Sequence, residues 1–202
     1  QTDFAPLFED EQLKRMHIFW CDGQIAATAS LYMGGDLIVD GKRHGAVGII
    51  GGVATAPEYR NRGFSRHLLE TIENEARKMR LDGLLLWSDK TDFYGRLGYQ
   101  AVGKQQIFDL NLFLTKNSPA TLMGKMDRRW DLNQVAKLHA RHATRIERSS
   151  ATWKRLEKIT STERRQWLAP SGEVLAYLAY NRGKDLQNII HEWGGNELAL
   201  LT

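Results

Sequence analysis

Between Gly51 and Arg80 the chain reads GGVATAPEYRNRGFSRHLLETIENEARKMR. The six residues at its centre, Arg60, Asn61, Arg62, Gly63, Phe64 and Ser65, have the types and spacing to hold an anion. An apolar run stops at Pro57, crosses a short basic turn and then becomes helix-periodic. A strand feeding a helix through a short loop presents unpaired backbone N–H groups at the helix N-terminus, where the macrodipole is positive. Gly63 permits a tight backbone and close approach by a ligand, Ser65 is small and carries a hydroxyl, and Arg60 and Arg62 add charge. A pyrophosphate would fit such a loop. A surface turn that merely happens to be basic is the bland alternative, and these six residues alone leave it open.

Other chemistry is sparse. The single cysteine, Cys21, excludes an intrachain disulfide and a cysteine-based metal cage, and points to a reducing cytoplasm. It lies in IFWC beside a turn, where a buried structural thiol is expected rather than a nucleophile. His44, His67 and His191 read as surface or capping residues, and no pair of histidines has metal-ligand spacing, so no metal is expected. Residues 1–116 hold 14 Lys/Arg against 15 Asp/Glu, and residues 117–202 hold 14 against 9. The second part is therefore basic, but its charges are interspersed through helical periodicity in KRLEK and STERRQW, which suits a solvated face better than a nucleic-acid surface. No apolar run approaches a membrane span, and no basic-then-apolar leader is present.

The elements that must position the loop follow from local patterns. IFWC-DG-QIAATASLYM and DLIV-DG-KRHGAVGIIGGVAT each join β-rich runs through Asp-Gly, the strongest short hairpin signal. An antiparallel meander thus leads into a strand ending near Thr55. Beyond the loop, Phe64, Leu68, Leu69, Ile72, Ala76 and Met79 fall on one helical face. Asp82-Gly83 is expected to close that helix, and Leu84 to Trp87 to form a short buried strand parallel to the previous one. Thr91 or Asp92 would cap a short helix through Leu97, ended by Gly98, with two strands around Gly103. The turn-rich TKNSPATLMG sets the domain boundary, giving 1–116 and 117–202. The second part reads as helices at Asn133–His142 and Thr152–Ile159, followed by strands at WLAP, EVLAYLAYNRGKD and NIIHEWGG.

These motifs together resemble the GCN5-related N-acetyltransferase (GNAT) family. Arg60-Asn61-Arg62-Gly63-Phe64-Ser65 matches its acetyl-CoA motif, with Ser65 in place of the usual final Gly or Ala. GGVATAPEY looks like the coenzyme-binding strand, and DFYGRLGYQAVG like the tyrosine-bearing motif. The resemblance implies an α/β (α+β) fold with a mixed, mostly antiparallel sheet. VATAPEYRNRGF, with HEWGG near the end, is further similar to the tandem-domain bacterial acetyltransferases of the enhanced-intracellular-survival type, in which a degenerate second GNAT-like domain lacks the coenzyme loop. Residues 117–202 contain no such loop. By that resemblance both domains are incomplete in this chain, the first lacking its initial elements and the second its later half.

The resemblance also implies a mechanism: acetyl moves from acetyl-CoA, as co-substrate, to a primary amine by direct attack through a tetrahedral intermediate. Backbone groups of Val53, Ala54 and Thr55 would pair with pantetheine and polarise the thioester, and Arg60 to Ser65 would cradle the pyrophosphate. Tyr94, in FYGRLGY, stands where the family's acid tyrosine stands. A phenol of pKa near ~10 can protonate the departing thiolate. Phe93 and Tyr99 read as packing aromatics. No carboxylate lies between Ala46 and Thr55, so the base stays unassigned, with Glu192 an outside candidate. Trp87 and Trp193 could line a cleft, but buried core positions are the commoner explanation. The implied acceptor is a small-molecule or lysine-type amine, without nucleic acid or membrane, in a cytoplasmic bacterial enzyme of a group that tends to form homo-oligomers. A non-catalytic acyl-CoA-binding or sensory module is the alternative.

Overall fold

A computed structural model describes residues 13–103, 106–107, 125–184 and 186–200. The chain divides into two units, one whose described parts fall within Leu7–Ile38 and Lys42–Gln106, the other within Val39–Gly41 and Ile107–Thr202. The boundary expected at 116/117 lies outside the described residues.

Three strands open the first unit: β1 (Met16–Cys21), β2 (Gln24–Val39) and β3 (Lys42–Thr55). Both Asp-Gly turns form as their chemistry demands, with positive φ at Asp22 and Gly23 (51° and 74°) and at Asp40 and Gly41 (49° and 73°). β1 pairs antiparallel with β2 from Met16↔Ser30 to Cys21↔Gln24. A 3₁₀ turn at Pro57–Tyr59 follows β3, and helix α1 (Phe64–Lys78) begins after Gly63. Leu68, Leu69, Ile72 and Ala76 are buried as their spacing predicts, against Ala27, Ala29 and Leu31 of β2 and Ile50 of β3. Small alanines on β2 let the helix sit close.

The end of α1 differs from expectation. Arg80, at φ 57°, takes the left-handed position, and Leu81 N–H returns to the Ala76 carbonyl (3.0 Å). Asp82 is engaged elsewhere, its carboxylate accepting the Ala46 N–H (2.8 Å) and its own N–H donating to the Ala46 carbonyl (2.8 Å). Strand β4 is only Gly83–Leu85, pairing parallel with Val47–Ile49. It is half-buried, and Trp87 beyond it is 68% exposed rather than buried. The sheet order is β1-β2-β3-β4, a mixed, mostly antiparallel sheet as expected. Helix α2 (Thr91–Gly95) carries no side-chain cap, and Gly98 (φ 90°) takes the left-handed position predicted for it. Residues 100–103 are not strand, and the strands expected around Gly103 otherwise fall largely outside the described residues.

The second unit holds β5 (Lys125–Asp127), α3 (Leu132–His139), β6 (Arg145–Ile146), α4 (Ser150–Glu157), β7 (Glu163–Leu168), β8 (Val174–Tyr180), β9 (Ile190–Gly195) and α5 (Glu197–Leu200). Asp131 caps α3 by accepting the N–H groups of Asn133 and Gln134 (3.1 Å each), and Ser149 caps α4 through Thr152 N–H (3.1 Å). β5, β7, β8 and β9 form an antiparallel sheet in that order. The segment ERRQ, read in the sequence as helical and solvated, is strand. Gln166 is buried, and Arg164 turns inward to donate to the carbonyls of Thr162 (2.9 Å), Ile159 (3.0 Å) and Leu156. Its guanidinium thereby closes the C-terminus of α4.

Candidate active site

The site starts where two parallel strands part. β3 and β4 pair only over Val47–Ile49, yet β3 continues to Thr55. Among the described residues the β4-side edge of β3 beyond Ile49 faces no strand. Its other side remains held by β2, through Ala56 N–H to the Ala26 carbonyl (2.9 Å) and the Thr28 hydroxyl to the Gly52 carbonyl (2.8 Å). Backbone groups of Val53 to Thr55 are therefore rigidly carried along an open sheet edge, the geometry that accepts an extended chain of amides. The Val53 side chain packs against the core, and so do Phe64 and Tyr94, which places strand end, helix start and tyrosine on one apolar cluster.

The loop then delivers an uncapped helix N-terminus. Asn61 (φ 62°) and Gly63 (φ 82°) both adopt left-handed backbone, and no side chain caps α1. Asparagine tolerates that conformation, whereas glycine at 63 serves a further end. A Cβ built on Gly63 would meet no atom within 4 Å, so it would project into the space in front of the loop. Arg60, Asn61 and Arg62 are exposed. Phe64 stacks on Phe19 (4.3 Å, 17°), so its ring serves packing and only its N–H faces outward duty. The Ser65 and Thr55 hydroxyls hydrogen-bond to one another, tying helix to strand end. Ser65 was expected to add a hydroxyl to the phosphate site, and that hydroxyl already has a protein partner.

Tyr94 sits on α2 just after β4. It is half-buried, in edge-to-face contact with Phe93 (5.0 Å) and Tyr99 (5.8 Å). Burial pushes its phenol above the ordinary value, with the Ser88 hydroxyl pulling the other way, so the group is protonated at neutral pH. Tyr99 is pushed further in the same direction, chiefly by burial, and is a packing residue as expected.

Several candidates fall away. Glu192 is held by Arg148 (2.6 Å) and accepts the Tyr177 hydroxyl (3.4 Å), so its carboxylate is neutralised within the second unit. Trp193 is 43% exposed rather than buried. Cys21 is partly exposed rather than buried, its thiol donating to Asp22 (3.4 Å), and burial of the sulfur and this carboxylate both raise its pKa. His44 and His67 are exposed, and half-buried His191 bonds the Asn181 carbonyl (3.2 Å). No metal-holding group of His, Cys, Asp or Glu exists among the described residues, and no described helix is long and apolar enough to cross a membrane. Tyr59, the last residue of GGVATAPEY, is buried at 7% exposure beneath Arg62. An aromatic between charged residues in a turn was the available signal.

An open strand edge leading to a basic, glycine-opened helix start can take an extended chain of amides and an anion end to end. The chain belongs to the acetyltransferase (GNAT) domain family, whose model matches residues 2–102. Acetyl-CoA is the co-substrate of that family. Comparison with curated protein sequences finds no match. Among solved structures, a GCN5-related N-acetyltransferase from Kribbella flavida aligns over 93% of this chain with TM-score 0.62 and 20% identity. A probable N-acyltransferase from Enterococcus faecalis aligns over 99% with TM-score 0.62 and 16% identity. Saccharomyces cerevisiae N-myristoyltransferase aligns over 86% with TM-score 0.53 and 11% identity. The chain spans 48%, 55% and 48% of those three proteins, and at these identities the likeness is one of fold.

Proposed function

We propose that this protein transfers acetyl from acetyl-CoA to a primary amine. The observation that carries the reading is the departure of β3 from β4 after Ile49, which leaves Val53 to Thr55, among the described residues, without a strand on that side and leading into Gly63 and the α1 N-terminus. Amides of Val53 to Thr55 would hold pantetheine as an added strand does and polarise the thioester carbonyl. N–H groups at Gly63 to Ser65, with Arg60, Asn61 and Arg62 beside them, would bind the pyrophosphate. The neutral amine attacks the carbonyl carbon, the C–S bond breaks as the tetrahedral adduct collapses, Tyr94 gives its phenolic proton to the sulfur, and the proton shed by the attacking nitrogen passes through solvent to restore the phenol. The Tyr94 phenol carries its proton at neutral pH.

Nucleic acid is not among the partners in this reading. Four arginines of the second unit are engaged internally: Arg148 with Glu192, Arg145 with Glu147 (2.8 Å), Arg164 with the carbonyls at the end of α4 and Arg165 with the Tyr180 hydroxyl (2.7 Å). The division into two units and the alignment to relatives about twice as long support a tandem arrangement with a degenerate second GNAT-like domain at 117–202. The acceptor is a small-molecule or lysine-type amine.

Thiol release from acetyl-CoA by the complete protein across an amine panel tests the proposal. Amine-dependent thiol is expected for at least one member. CoA binding without release for any amine would favour the alternative, an acyl-CoA-binding or sensory module.

A further inference from the structure

Tyr59 is the residue near the loop that the mechanism leaves without work. It lies between exposed Glu58 and Arg60, yet it is 7% exposed. Two contacts fix it. Its hydroxyl donates to the Cys21 carbonyl at the β1–β2 turn (3.3 Å), its ring lies against Phe64 (6.2 Å, tilted), and Phe64 in turn stacks on Phe19. The ring is thus pinned from the strand side and from the helix side. Over its remaining face stands the Arg62 guanidinium, with Cζ 5.2 Å from the ring centroid.

We infer that Tyr59 is a positioning residue for the coenzyme phosphates, acting through Arg62. The inference rests on the reading of Arg60 to Ser65 as the pyrophosphate loop. An arginine side chain loses rotamer freedom when it is immobilised. Exposed Arg62 would lose this on binding unless something held it beforehand. A carboxylate could hold it, but would neutralise the charge and occupy the N–H donors that phosphate needs. An aromatic face holds the guanidinium through its π surface and leaves the in-plane donors free. The ion pairs among the described residues go to other cations, while Arg62 has the Tyr59 ring and a side-chain interaction with the Cys21 sulfur. Nearby Asp22, the competing carboxylate, accepts the Cys21 thiol.

A double-mutant cycle read by CoA titration of the complete protein tests this, with Tyr59→Leu, Tyr59→Phe, Arg62→Ala and the combinations. Arg62→Ala should weaken CoA binding roughly five- to a hundredfold, as loss of a charge-assisted bond does. Tyr59→Leu should weaken it roughly twofold to fivefold in the wild-type background, and not at all in the Arg62→Ala background. Tyr59→Phe keeps the π face and should bind like wild type. Equal weakening by Tyr59→Leu in both backgrounds, or none in either, overturns the positioning role while leaving the loop assignment intact. Unchanged affinity in Arg62→Ala, or no CoA binding by the wild type, overturns both. Should Tyr59→Leu not fold, Tyr59→Met supplies comparable bulk without a π face and enters the same cycle.

Discussion

Two residues carry the strongest expectations. If Tyr94 supplies the proton to the leaving thiolate, Tyr94→Phe removes one hydroxyl and little volume, so kcat should fall roughly 10²–10⁴-fold while CoA affinity and melting temperature persist. Wild-type turnover in that variant would reduce Tyr94 to the packing role its contacts with Phe93 and Tyr99 already give it. Gly63 separates backbone strain from ligand approach. Asparagine accepts left-handed backbone, so Gly63→Asn should melt close to wild type, whereas its side chain enters the space that a Cβ at Gly63 finds empty. CoA affinity should then drop roughly tenfold or more, about 1.4 kcal/mol. An unchanged dissociation constant in a folded variant would mean that nothing approaches the loop there.

At the scale of elements, what the sequence made legible is local. Asp22-Gly23 and Asp40-Gly41 specify their turns because both central positions need positive φ, and the buried face of α1 follows from spacing alone. Elements decided by distant partners were misread. ERRQ looked like a charged helical face, yet Gln166 and Trp167 are buried in β7, and Arg164 serves the carbonyls of a preceding helix. Arg164→Met should therefore cost about 2 kcal/mol in urea unfolding, because part-buried carbonyls of Leu156, Ile159 and Thr162 lose a charged donor. A change below about 0.5 kcal/mol would show that water replaces the guanidinium at no cost. The Asp131 cap belongs to the legible class, and Asp131→Ala should cost about 1 kcal/mol by the same measurement.

Stability of the whole molecule should depend on acid through the second unit. His139 is 9% exposed, with its ring edge-on to Trp153 (5.2 Å). Burial, aided by Arg148, lowers its pKa to about 4 from an ordinary value of 6.5. The folded-state value lies below the unfolded one, so the unfolded chain takes up the proton first. The contribution is complete above pH 6.5, shrinks as pH falls towards about 4 and is flat below, amounting to at most about 3 kcal/mol. Half-buried His191 is depressed in the same direction by burial. Urea midpoints measured at several pH values between 7 and 4 should show a shallower acid slope for His139→Gln than for wild type. Identical slopes would exclude His139 as the source.

The sequence by itself determined what neighbouring residues impose on one another: the turn conformations, the apolar stripe of α1, the cap at Asp131, and a loop whose glycine and arginines suit an anion. These are short-range matters of φ, side-chain direction and backbone hydrogen bonding, readable within a few residues. Tertiary structure alone decided that β3 leaves β4 after Ile49, that the Ser65 hydroxyl is taken by Thr55, and that Glu192 is tied to Arg148, which withdraws it as a base. Tyr59, pinned to the Cys21 carbonyl 38 residues earlier, holds Arg62 in the same way. The Arg148–Glu192 and Tyr59–Cys21 pairs join partners 44 and 38 residues apart in the chain. Which of several similar side chains meets which is settled only when both sheets and their helices close their cores, because packing then leaves one arrangement with its polar groups satisfied.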